Sequence, residues 1–312
     1  QNLRRLFARL QAGPQAVADP SEFAACLKLE QGVQQDGGEF LKLLLSFLEA
    51  QLTGAPQGRL IQDLYSGVLA YTTTCKGCGK MSDGSNNRVP FYELELAVRG
   101  QKTLERSLED LLSAELLTGE NRYACGPCQA KVDAERQMKL LSLPPYLCFS
   151  LMRFVFDMGS FERVKVSDRF SFPLELDMSK HVAGSSPAGA DGAETFDLCG
   201  VLIHRGQGAT AGHYVAHVKS EEDGRWWEFN DEEVKLLGDL PGRDSSQAPA
   251  KGPKPAGAPD SSAGRNQCEG EAGGIAASNR PSSITSRDAY LLIYRRRAFA
   301  LHAPSGGGAL GG

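Results

Sequence analysis

Residues 212–219 read Gly-His-Tyr-Val-Ala-His-Val-Lys, and after a polar turn residues 225–231 read Arg-Trp-Trp-Glu-Phe-Asn-Asp. Both stretches are rich in β-branched and aromatic residues, so they predict two strands joined by a hairpin turn. The hairpin would bring His213 close to Asn230 or Asp231. An amide or carboxylate that holds one imidazole nitrogen leaves the other nitrogen to accept a proton. We therefore predict that His213 is a general base and that Asn230 or Asp231 orients it.

A histidine base of this kind deprotonates a nucleophile, and the pattern is typical of the acid–base half of a cysteine hydrolase site. Gly212 precedes the histidine and leaves room for a backbone or a substrate to approach closely. Two other interpretations stay open. His213 and His217 could be half-exposed strand histidines without a catalytic role, or, since they share one strand face, they could bind a metal ion together. No third ligand for such an ion is evident in the sequence.

The length and composition of the chain limit its class. Its 312 residues suffice for one large domain or two modest ones, and a hydrophobic content of 41% supports a packed core. A formal net charge of −4 argues against direct nucleic-acid binding. No run of about 18 apolar residues occurs, so no membrane span is expected. Because the chain begins Gln1-Asn2-Leu3, without an initiator methionine or a signal-peptide pattern, we expect its natural N-terminus to lie upstream.

The eight cysteines include two Cys-x-x-Cys pairs. In a chain without a secretion signal, such pairs indicate metal or redox chemistry in a reducing compartment, the cytoplasm or the nucleus. Four thiolates complete the tetrahedron of a structural zinc ion. We predict one zinc ion and no organic cofactor, the ligands being Cys75, Cys78, Cys125 and Cys128. The second pair, Cys-Gly-Pro-Cys, also matches a thioredoxin-type redox motif, which requires a strand before it and a long helix after it. A site that has lost its metal is a further alternative.

Hydrophobic patterning divides the chain into a helical first part and a strand-rich remainder, which predicts an α+β fold. Apolar residues from Phe40 to Leu48 recur at helical spacing, and Asp36 can cap that helix. Another short helix begins after Thr103. Besides the hairpin, strands are expected at about 60–75, 92–98, 146–156, 196–204 and 289–294.

Three segments have the composition of loops. Residues 238–286 are rich in Gly, Pro, Ser and Ala, so they cannot bury enough apolar surface to fold alone and predict a disordered insert. Residues 183–193 predict a polar loop, and residues 298–312 predict a flexible tail.

Taken together, these motifs resemble the ubiquitin-specific protease family, the papain-like cysteine deubiquitinases, over most of the chain. The segments that carry the resemblance are Gln34-Gln35-Asp36 with Glu39-Phe40, Tyr123 to Cys128 with the earlier cysteine pair, Leu151-Met152-Arg153-Phe154, Gly212 to Ala216, and Phe229-Asn230-Asp231. Residues 91–96, 201–206 and 217–219 resemble the ubiquitin carboxyl-terminal hydrolase 48 branch. The chain departs from the family pattern at Gly37-Gly38, where an Ala-Gln type pair is usual, and we expect the glycines to loosen the helix entry.

The resemblance implies a papain-like fold of thumb, palm and fingers that grips ubiquitin. We expect one catalytic domain over 1–297 without its N-terminal part. It would contain a helical thumb at about 1–58, zinc-bearing β fingers at about 65–135, and an antiparallel palm sheet at about 136–237 and 288–297. The resemblance also implies residue roles. His213 would be the base, Asn230 would align it, and Asp231 would share that role or stabilise the oxyanion, while Asp36, Tyr214 and Gly212 would hold the extended ubiquitin tail.

The implied activity is thiol-dependent cleavage after the C-terminal glycine of ubiquitin, with ubiquitin and ubiquitinated proteins as partners. The family's cysteine box precedes its glutamine-rich box and is not found here, so we expect the chain as given to be inactive. Cys26 lies among apolar residues in a predicted helix and is expected to be buried, as are Cys148 and Cys199, while Cys268 falls in the insert. Two alternatives remain. One is a non-catalytic, zinc-containing ubiquitin-binding module; the other is a zinc-ribbon interaction protein unrelated to ubiquitin, which would leave His213 and Asn230 unexplained.

Overall fold

The computed structural model describes residues 1–14, 17–29, 35–82, 87–183, 194–206, 208, 211–241 and 282–299. The α-helices of these residues are α1 (Asn2–Ala12), α2 (Ser21–Cys26), α3 (Gly37–Leu52), α4 (Leu60–Tyr65) and α5 (Leu104–Leu111). The strands are β1 (Gly67–Cys75), β2 (Arg88–Phe91), β3 (Leu94–Ala97), β4 (Glu115–Leu117), β5 (Tyr123–Cys125), β6 (Ala130–Val132), β7 (Ala134–Ser142), β8 (Tyr146–Met152), β9 (Phe154–Asp157), β10 (Glu162–Lys165), β11 (Phe170–Pro173), β12 (Glu175–Asp177), β13 (Thr195–Arg205), β14 (His213–Lys219), β15 (Trp226–Asn230), β16 (Glu233–Gly238), β17 (Ser283–Ser286) and β18 (Ala289–Arg296). Within this part of the chain, no helix combines the length and apolar character that a membrane crossing requires.

The centre of the fold is an eight-stranded sheet in the order β16-β15-β14-β13-β18-β8-β3, with β12 also paired to β13. Neighbouring strands are antiparallel except for β3 and β8, which are parallel. Strand β8 lies inside the sheet and is buried on both faces, which explains its continuous apolar run. The core packs α5 and β11 against this sheet. The predicted α+β fold with an antiparallel palm sheet is confirmed.

A second sheet extends from the first. Its order is β2-β1-β7-β4, and the separate hairpin β5–β6 lies near the end of β1. The strand pairing departs at two places from the residue ranges expected for the fingers and the palm. Strand β3 falls in the range expected for the fingers but pairs with β8 of the large sheet, and β7 runs from the second sheet into the range expected for the palm. The three ranges themselves stay predictions.

Helix α3 begins where the sequence predicts. The Asp36 carboxylate accepts hydrogen bonds from the backbone N–H groups of Gly38, at 2.9 Å, and Glu39, at 3.1 Å. A carboxylate at this end also complements the positive end of the helix dipole. Gly37 has a packing role, because a Cβ there would lie 2.7 Å from Leu202 Cδ2. The missing side chain of Gly37 thus lets α3 approach the sheet, and the expectation that the glycine pair loosens the helix entry stays a prediction.

The prediction of β structure from residue 60 onward is wrong for Leu60–Tyr65, which form α4. Ile61 is buried against α3, and the ring of Tyr65 stacks on Tyr146 at a centroid distance of 5.4 Å. The sequence of this short amphipathic stretch is compatible with a helix or a strand, and these tertiary contacts favour the helix. The β structure begins at Gly67.

The prediction of a disordered insert over 238–286 is wrong at its C-terminal end. Residues Ser283–Ser286 form β17, which pairs antiparallel with β11 and returns the chain to the core. Residues 242–281 lie outside the described residues, as do 184–193 of the expected loop, 300–312 of the expected tail, and Gln34 and Cys268.

Arg153 joins several segments around the end of β8. Its side chain is buried, and its guanidinium donates to the backbone carbonyls of Ala289 at 2.5 Å, Val166 at 2.9 Å and Ser286 at 3.2 Å. A buried guanidinium requires such acceptors because its charge has left water. Arg153 thus holds β8 and β18 against the segment that follows β10.

Candidate active site

His213 and Asn230 meet across neighbouring strands. His213 begins β14, Asn230 ends β15, and His213 Nε2 lies 2.5 Å from Asn230 Oδ1. Since the amide oxygen only accepts, Nε2 carries the proton and Nδ1 carries the lone pair. The imidazole is half-buried, with 44% of the side chain exposed, so its Nδ1 edge remains accessible. This arrangement can transfer a proton between Nδ1 and a group in the adjacent cleft.

Asp231 follows Asn230 but contacts the imidazole less closely. Its Oδ2 lies 3.7 Å from His213 Nε2, beyond hydrogen-bonding distance, and its side chain is exposed. Its backbone has a φ of 50°, in the left-handed region that Asn and Asp tolerate better than most residues. The structure thus brings both predicted partners to the histidine and places Asn230 in direct contact.

Gly212 is packed against a buried histidine. A Cβ at this position would lie 2.2 Å from His204 Nε2 and 2.8 Å from the carbonyl oxygen of Arg205. The His204 ring is fully buried between Phe154 and Tyr214, with centroid distances of 5.0 Å to each. Burial, reinforced by the positive charge of Lys165, lowers the pKa of His204. Glycine is therefore required beside His213 for steric reasons, because His204 occupies the space that a side chain would need.

Helix α3 meets the large sheet through Asp36. The Tyr290 hydroxyl donates to Asp36 Oδ2 at 2.5 Å, and the backbone N–H of Gly37 donates to the Tyr214 hydroxyl at 3.2 Å. Tyr214 directly follows His213, so the start of α3 is anchored next to the candidate base. The structure thus brings Asp36, Tyr214 and Gly212 close to the His213 end of β14, although their predicted role in holding a peptide tail stays a prediction.

A small polar cavity of about 170 Å³ opens between α3 and strands β3 and β8. Its lining includes Asp36, Glu39 and the largely buried Glu93, and Lys42 in the lining contacts Glu93 Oε1 at 2.6 Å. Burial raises the pKa of Glu93, against the opposing effect of Lys42. Arg153 and Arg163 also line the cavity, so it offers both acceptors and donors of hydrogen bonds to a polar ligand.

The described residues include seven cysteines, and none of their sulfur atoms is hydrogen-bonded to the His213 imidazole. The expectation that Cys26 is buried is wrong. It is exposed at the C-terminal end of α2, where its sulfur accepts a hydrogen bond from Asn2 at 2.7 Å. Cys148 is buried and Cys199 half-buried, and burial raises the pKa of each thiol to about 12.

The four paired cysteines converge at the tip of the second sheet. Their sulfur atoms all lie within 4.8 Å of one another, with Cys75 Sγ 3.8 Å from Cys128 Sγ and Cys78 Sγ 3.7 Å from Cys125 Sγ. A tetrahedron with Zn–S bonds of about 2.3 Å has edges of about 3.8 Å, so these distances fit the ion. The backbone N–H of Cys78 donates to Cys75 Sγ at 3.4 Å and lowers the pKa of that thiol to about 7, whereas the hydrogen bond with Cys78 raises the pKa of Cys128 to about 12. The predicted cluster is confirmed as a group that can bind a metal.

The environment of the second pair does not match a thioredoxin motif. Cys125 ends β5, and after Cys128 the chain turns through Gln129, at a φ of 51°, into β6. The pair therefore lies in the turn of a β-hairpin, whereas the redox motif begins a long helix. Among the described residues, the only group of three or more His, Cys, Asp or Glu arranged for a metal ion is this cluster, so the proposed shared metal at His213 and His217 lacks further ligands.

Several residues at the site were not identified from the sequence. Tyr290 was predicted only as part of a strand, and Glu93 only as an outward residue. His217 is buried and contacts Glu228 Oε2 at 3.1 Å, so it is not the half-exposed strand histidine that the sequence allowed. The alternation in Trp226–Asn230 could have identified Glu228, since it places Glu228 and Asn230 on one face of β15.

Comparison with known proteins agrees with the motifs and the geometry. The family profile described as "Ubiquitin carboxyl-terminal hydrolase" matches residues 1–294. Ubiquitin carboxyl-terminal hydrolase 26 of Oryza sativa subsp. japonica is 42% identical over 306 residues, which cover 95% of this chain and 28% of that protein. The Arabidopsis thaliana protein of the same name is also 42% identical, over 95% of this chain and 27% of its own length.

Ubiquitin carboxyl-terminal hydrolase 48 of Danio rerio is 42% identical over 240 residues, 76% of this chain and 22% of that protein. The chain thus spans about a quarter of the length of these relatives. The resemblance drawn from the cysteine pairs, the histidine strand and the Asp36 helix is confirmed, and an unrelated zinc-ribbon protein is not supported. The chain belongs to the ubiquitin carboxyl-terminal hydrolase family.

Proposed function

We propose that the protein containing this chain is a thiol-dependent deubiquitinase that cleaves the bond after the C-terminal glycine of ubiquitin in protein conjugates. The observation that carries the proposal is the contact of 2.5 Å between His213 Nε2 and Asn230 Oδ1, in a chain of this family. The contact leaves Nδ1 to exchange a proton with a thiol. A structural histidine on the same strand would not require an amide acceptor and an accessible second nitrogen.

In the proposed reaction, His213 Nδ1 accepts the proton of a cysteine thiol, and the thiolate attacks the carbonyl carbon of the terminal glycine. As the tetrahedral intermediate collapses, the C–N bond breaks, and the amine of the substrate leaves with the proton from His213. His213 then deprotonates water, which attacks the thioester and releases ubiquitin and the thiol. Asn230 keeps the imidazole oriented through both stages, and Asp231 assists from 3.7 Å as a nearby negative charge.

We infer that the nucleophilic cysteine is none of the seven described ones. Cys148 and Cys199 have raised pKa values, four cysteines form the metal cluster, and Cys26 lies on α2 in contact with Asn2. A nucleophile must be within hydrogen-bonding reach of its base, directly or through one water. We therefore propose that none of these seven cysteines supports turnover and that the thiol comes from outside the described residues.

We propose that the ubiquitin tail lies between α3 and the large sheet. Asp36 and Tyr214 are held there by Tyr290 and Gly37, and the proposed passage runs beside His213. A tail that ends in two glycines fits such a passage because neither residue carries a side chain. The carboxylates of the polar cavity provide acceptors for donors along the tail.

We propose that the four-cysteine cluster holds one structural zinc ion. When bound, zinc supplies a cross-link between the end of β1 and the β5–β6 hairpin. Because the thiols must stay reduced to bind the ion, we also propose that the protein works in the cytoplasm, the nucleus or both.

The experiment that tests the main proposal is hydrolysis of a fluorogenic ubiquitin C-terminal reporter by the whole protein. His213→Ala is expected to abolish turnover, and Asn230→Ala to reduce it strongly, while both variants retain ubiquitin binding. The 312-residue chain is expected to be inactive. Turnover by this chain that Cys26→Ala abolishes would overturn the assignment of the nucleophile, and full activity of His213→Ala would overturn the function.

A second candidate function is a non-catalytic, zinc-containing ubiquitin-binding module. It is favoured by the absence of a thiol at His213 among the described cysteines. Both hypotheses predict that the chain binds ubiquitin, so a binding measurement does not separate them. Inactivity of the whole protein on the reporter, with ubiquitin binding intact, would favour the binding module.

A further inference from the structure

Two histidines of β14 each contact an acceptor on β15. His213 and His217 lie four residues apart on one strand face, and Glu228 and Asn230 lie two residues apart on the facing strand. His213 Nε2 contacts Asn230 Oδ1 at 2.5 Å, and His217 Nε2 contacts Glu228 Oε2 at 3.1 Å. A second, buried histidine–acceptor pair therefore lies directly beside the candidate catalytic pair.

Arg205 connects the two pairs. It lies opposite His213 in the register of β13 and β14, so the two side chains share a face with Cβ atoms about 4.5–5.5 Å apart. Its guanidinium extends along the sheet and donates to Glu228 Oε2 at 3.0 Å. The side chain of Glu228 is 13% exposed and that of Arg205 is 36% exposed. The Arg205 guanidinium, which lies opposite His213 on β13, is thus paired with the Glu228 carboxylate on β15.

The Glu228 carboxylate is ionised. Burial opposes its ionisation, but the hydrogen bond from His217 and the charge of Arg205 outweigh burial and lower the pKa of Glu228. The carboxylate thus neutralises Arg205 in the folded protein. Without this partner, the guanidinium would lie beside His213 as an unbalanced positive charge and would oppose the imidazolium form that proton transfer requires.

We propose that Glu228 is a positioning residue for the candidate base: it binds the Arg205 guanidinium, directs it away from His213 and balances its charge. This inference rests on the proposed role of His213 and extends it to a residue pair outside the predicted site. Glu228 does not touch the reacting atoms. It acts through Arg205, and His217 fixes the carboxylate from the strand that also carries His213.

The charged groups that face this cluster come from each neighbouring element. Asp231 on the β15–β16 connection lies 3.7 Å from His213. On β16, Glu233 pairs with Asn230 in register, Lys235 pairs with Glu228, and the two side chains form an ion pair at 2.9 Å. Lys235 and Glu233 neutralise each other and are exposed, and among the described residues the ion pair of Arg205 is with Glu228.

The test follows the His213 ring by NMR in the ¹⁵N-labelled 312-residue chain, which has five histidines, assigned with a His213→Gln variant. Glu228→Gln is expected to move the titration midpoint of the ring to lower pH by roughly half a unit, the size of a partly screened charge interaction. Arg205→Met leaves Glu228 unbalanced and is expected to move the midpoint to higher pH. The double variant is expected to return near the original midpoint.

The control is Glu222→Gln, which removes one exposed negative charge in the β14–β15 turn, at the far end of the hairpin from His213. Opposite shifts for the two single variants, with compensation in the double variant, support the proposal. Shifts no larger than that of the control, or shifts of the same sign, would overturn it, even where thermal unfolding shows lower stability. The NMR titration does not depend on turnover, so a result against the role of Glu228 is distinct from failure of the proposed enzymatic function.

Discussion

Asp36 and Tyr290 lie 254 residues apart in the sequence and form one hydrogen bond, from the Tyr290 hydroxyl to Asp36 Oδ2 at 2.5 Å. Asp36 caps α3 with its other oxygen, so a single carboxylate starts the helix and joins it to β18. Burial, and then the hydrogen bond to Asp36, raises the pKa of Tyr290, so its hydroxyl remains a donor at neutral pH. The geometry of the cleft beside His213 therefore depends on this pair.

Tyr290→Phe is expected to destabilise the chain by about 1–3 kcal/mol, the cost of removing a buried donor from a carboxylate. It should also speed hydrogen exchange at the amides of Gly38 and Glu39, because Asp36 is then held less firmly. Both are measured on the 312-residue chain, by denaturant unfolding and exchange mass spectrometry. Tyr123→Phe, on the distant strand β5, is the control. Unchanged exchange at α3 would contradict the coupling.

Gly212→Ala is expected to cost about 1–3 kcal/mol of folding stability, because its Cβ would overlap the His204 ring at 2.2 Å and a backbone oxygen at 2.8 Å. His204 cannot move aside easily, since Phe154 and Tyr214 enclose it. Chemical denaturation checks the value. Gly159→Ala, where the nearest atom lies 3.6 Å away, should be close to neutral. Equal stability of the two variants would show that the site tolerates a side chain next to His213.

The stability of the protein should fall as the pH drops below about 6.5, in part because of His204. Its pKa is lowered in the folded state, by burial first and by Lys165 second, so between the folded and unfolded pKa values the unfolded chain binds more protons. The native state is then disfavoured as the pH decreases through that window. His204→Asn should flatten the dependence of unfolding free energy on pH between 7 and 5, even though it lowers stability at pH 7. An unchanged slope would assign the acid sensitivity to other groups.

Removal of one metal ligand should empty the cluster. We expect one zinc ion per chain by elemental analysis of the purified protein, and near-complete loss of zinc in Cys125→Ser, whose sulfur is buried among the other three. Cys26→Ser, an exposed cysteine on α2, should retain the ion. Retention of full zinc by Cys125→Ser would show that the four thiols do not act as one site.

Local sequence rules predicted the parts of this fold that local chemistry determines. Asp36 and Thr103 cap helices as expected, because an acidic or hydroxyl side chain before an apolar repeat meets free N–H groups whatever surrounds it. The hairpin of β14 and β15 follows from alternation and a polar turn. The four cysteines were identifiable because a Cys-x-x-Cys turn places two thiols on one side, where they can bind a metal ion together.

Tertiary contacts determined what the sequence did not reveal. Leu60–Tyr65 is helical because Ile61 and Tyr65 find partners on α3 and β8. Ser283–Ser286 is a strand because it pairs with β11, although its composition resembles that of the residues before it in the sequence. Tyr290 and Arg205 join the site through contacts over 254 and 23 residues, which no local pattern specifies.

The distances of Asn230 and Asp231 from His213 Nε2 indicate which of the two side chains orients the imidazole. Asn230 Oδ1 contacts Nε2 at 2.5 Å, whereas Asp231 Oδ2 lies at 3.7 Å on an exposed side chain. In the whole protein, Asn230→Ala is therefore expected to lower kcat by about 10²–10⁴-fold, since the imidazole loses the acceptor that fixes its tautomer. Asp231→Ala should lower kcat by less than about tenfold, because an exposed charge at that distance is screened. Reporter hydrolysis at saturating substrate measures both. A larger loss for Asp231→Ala would move the orienting role to the aspartate and leave Asn230 as a support for the strand end.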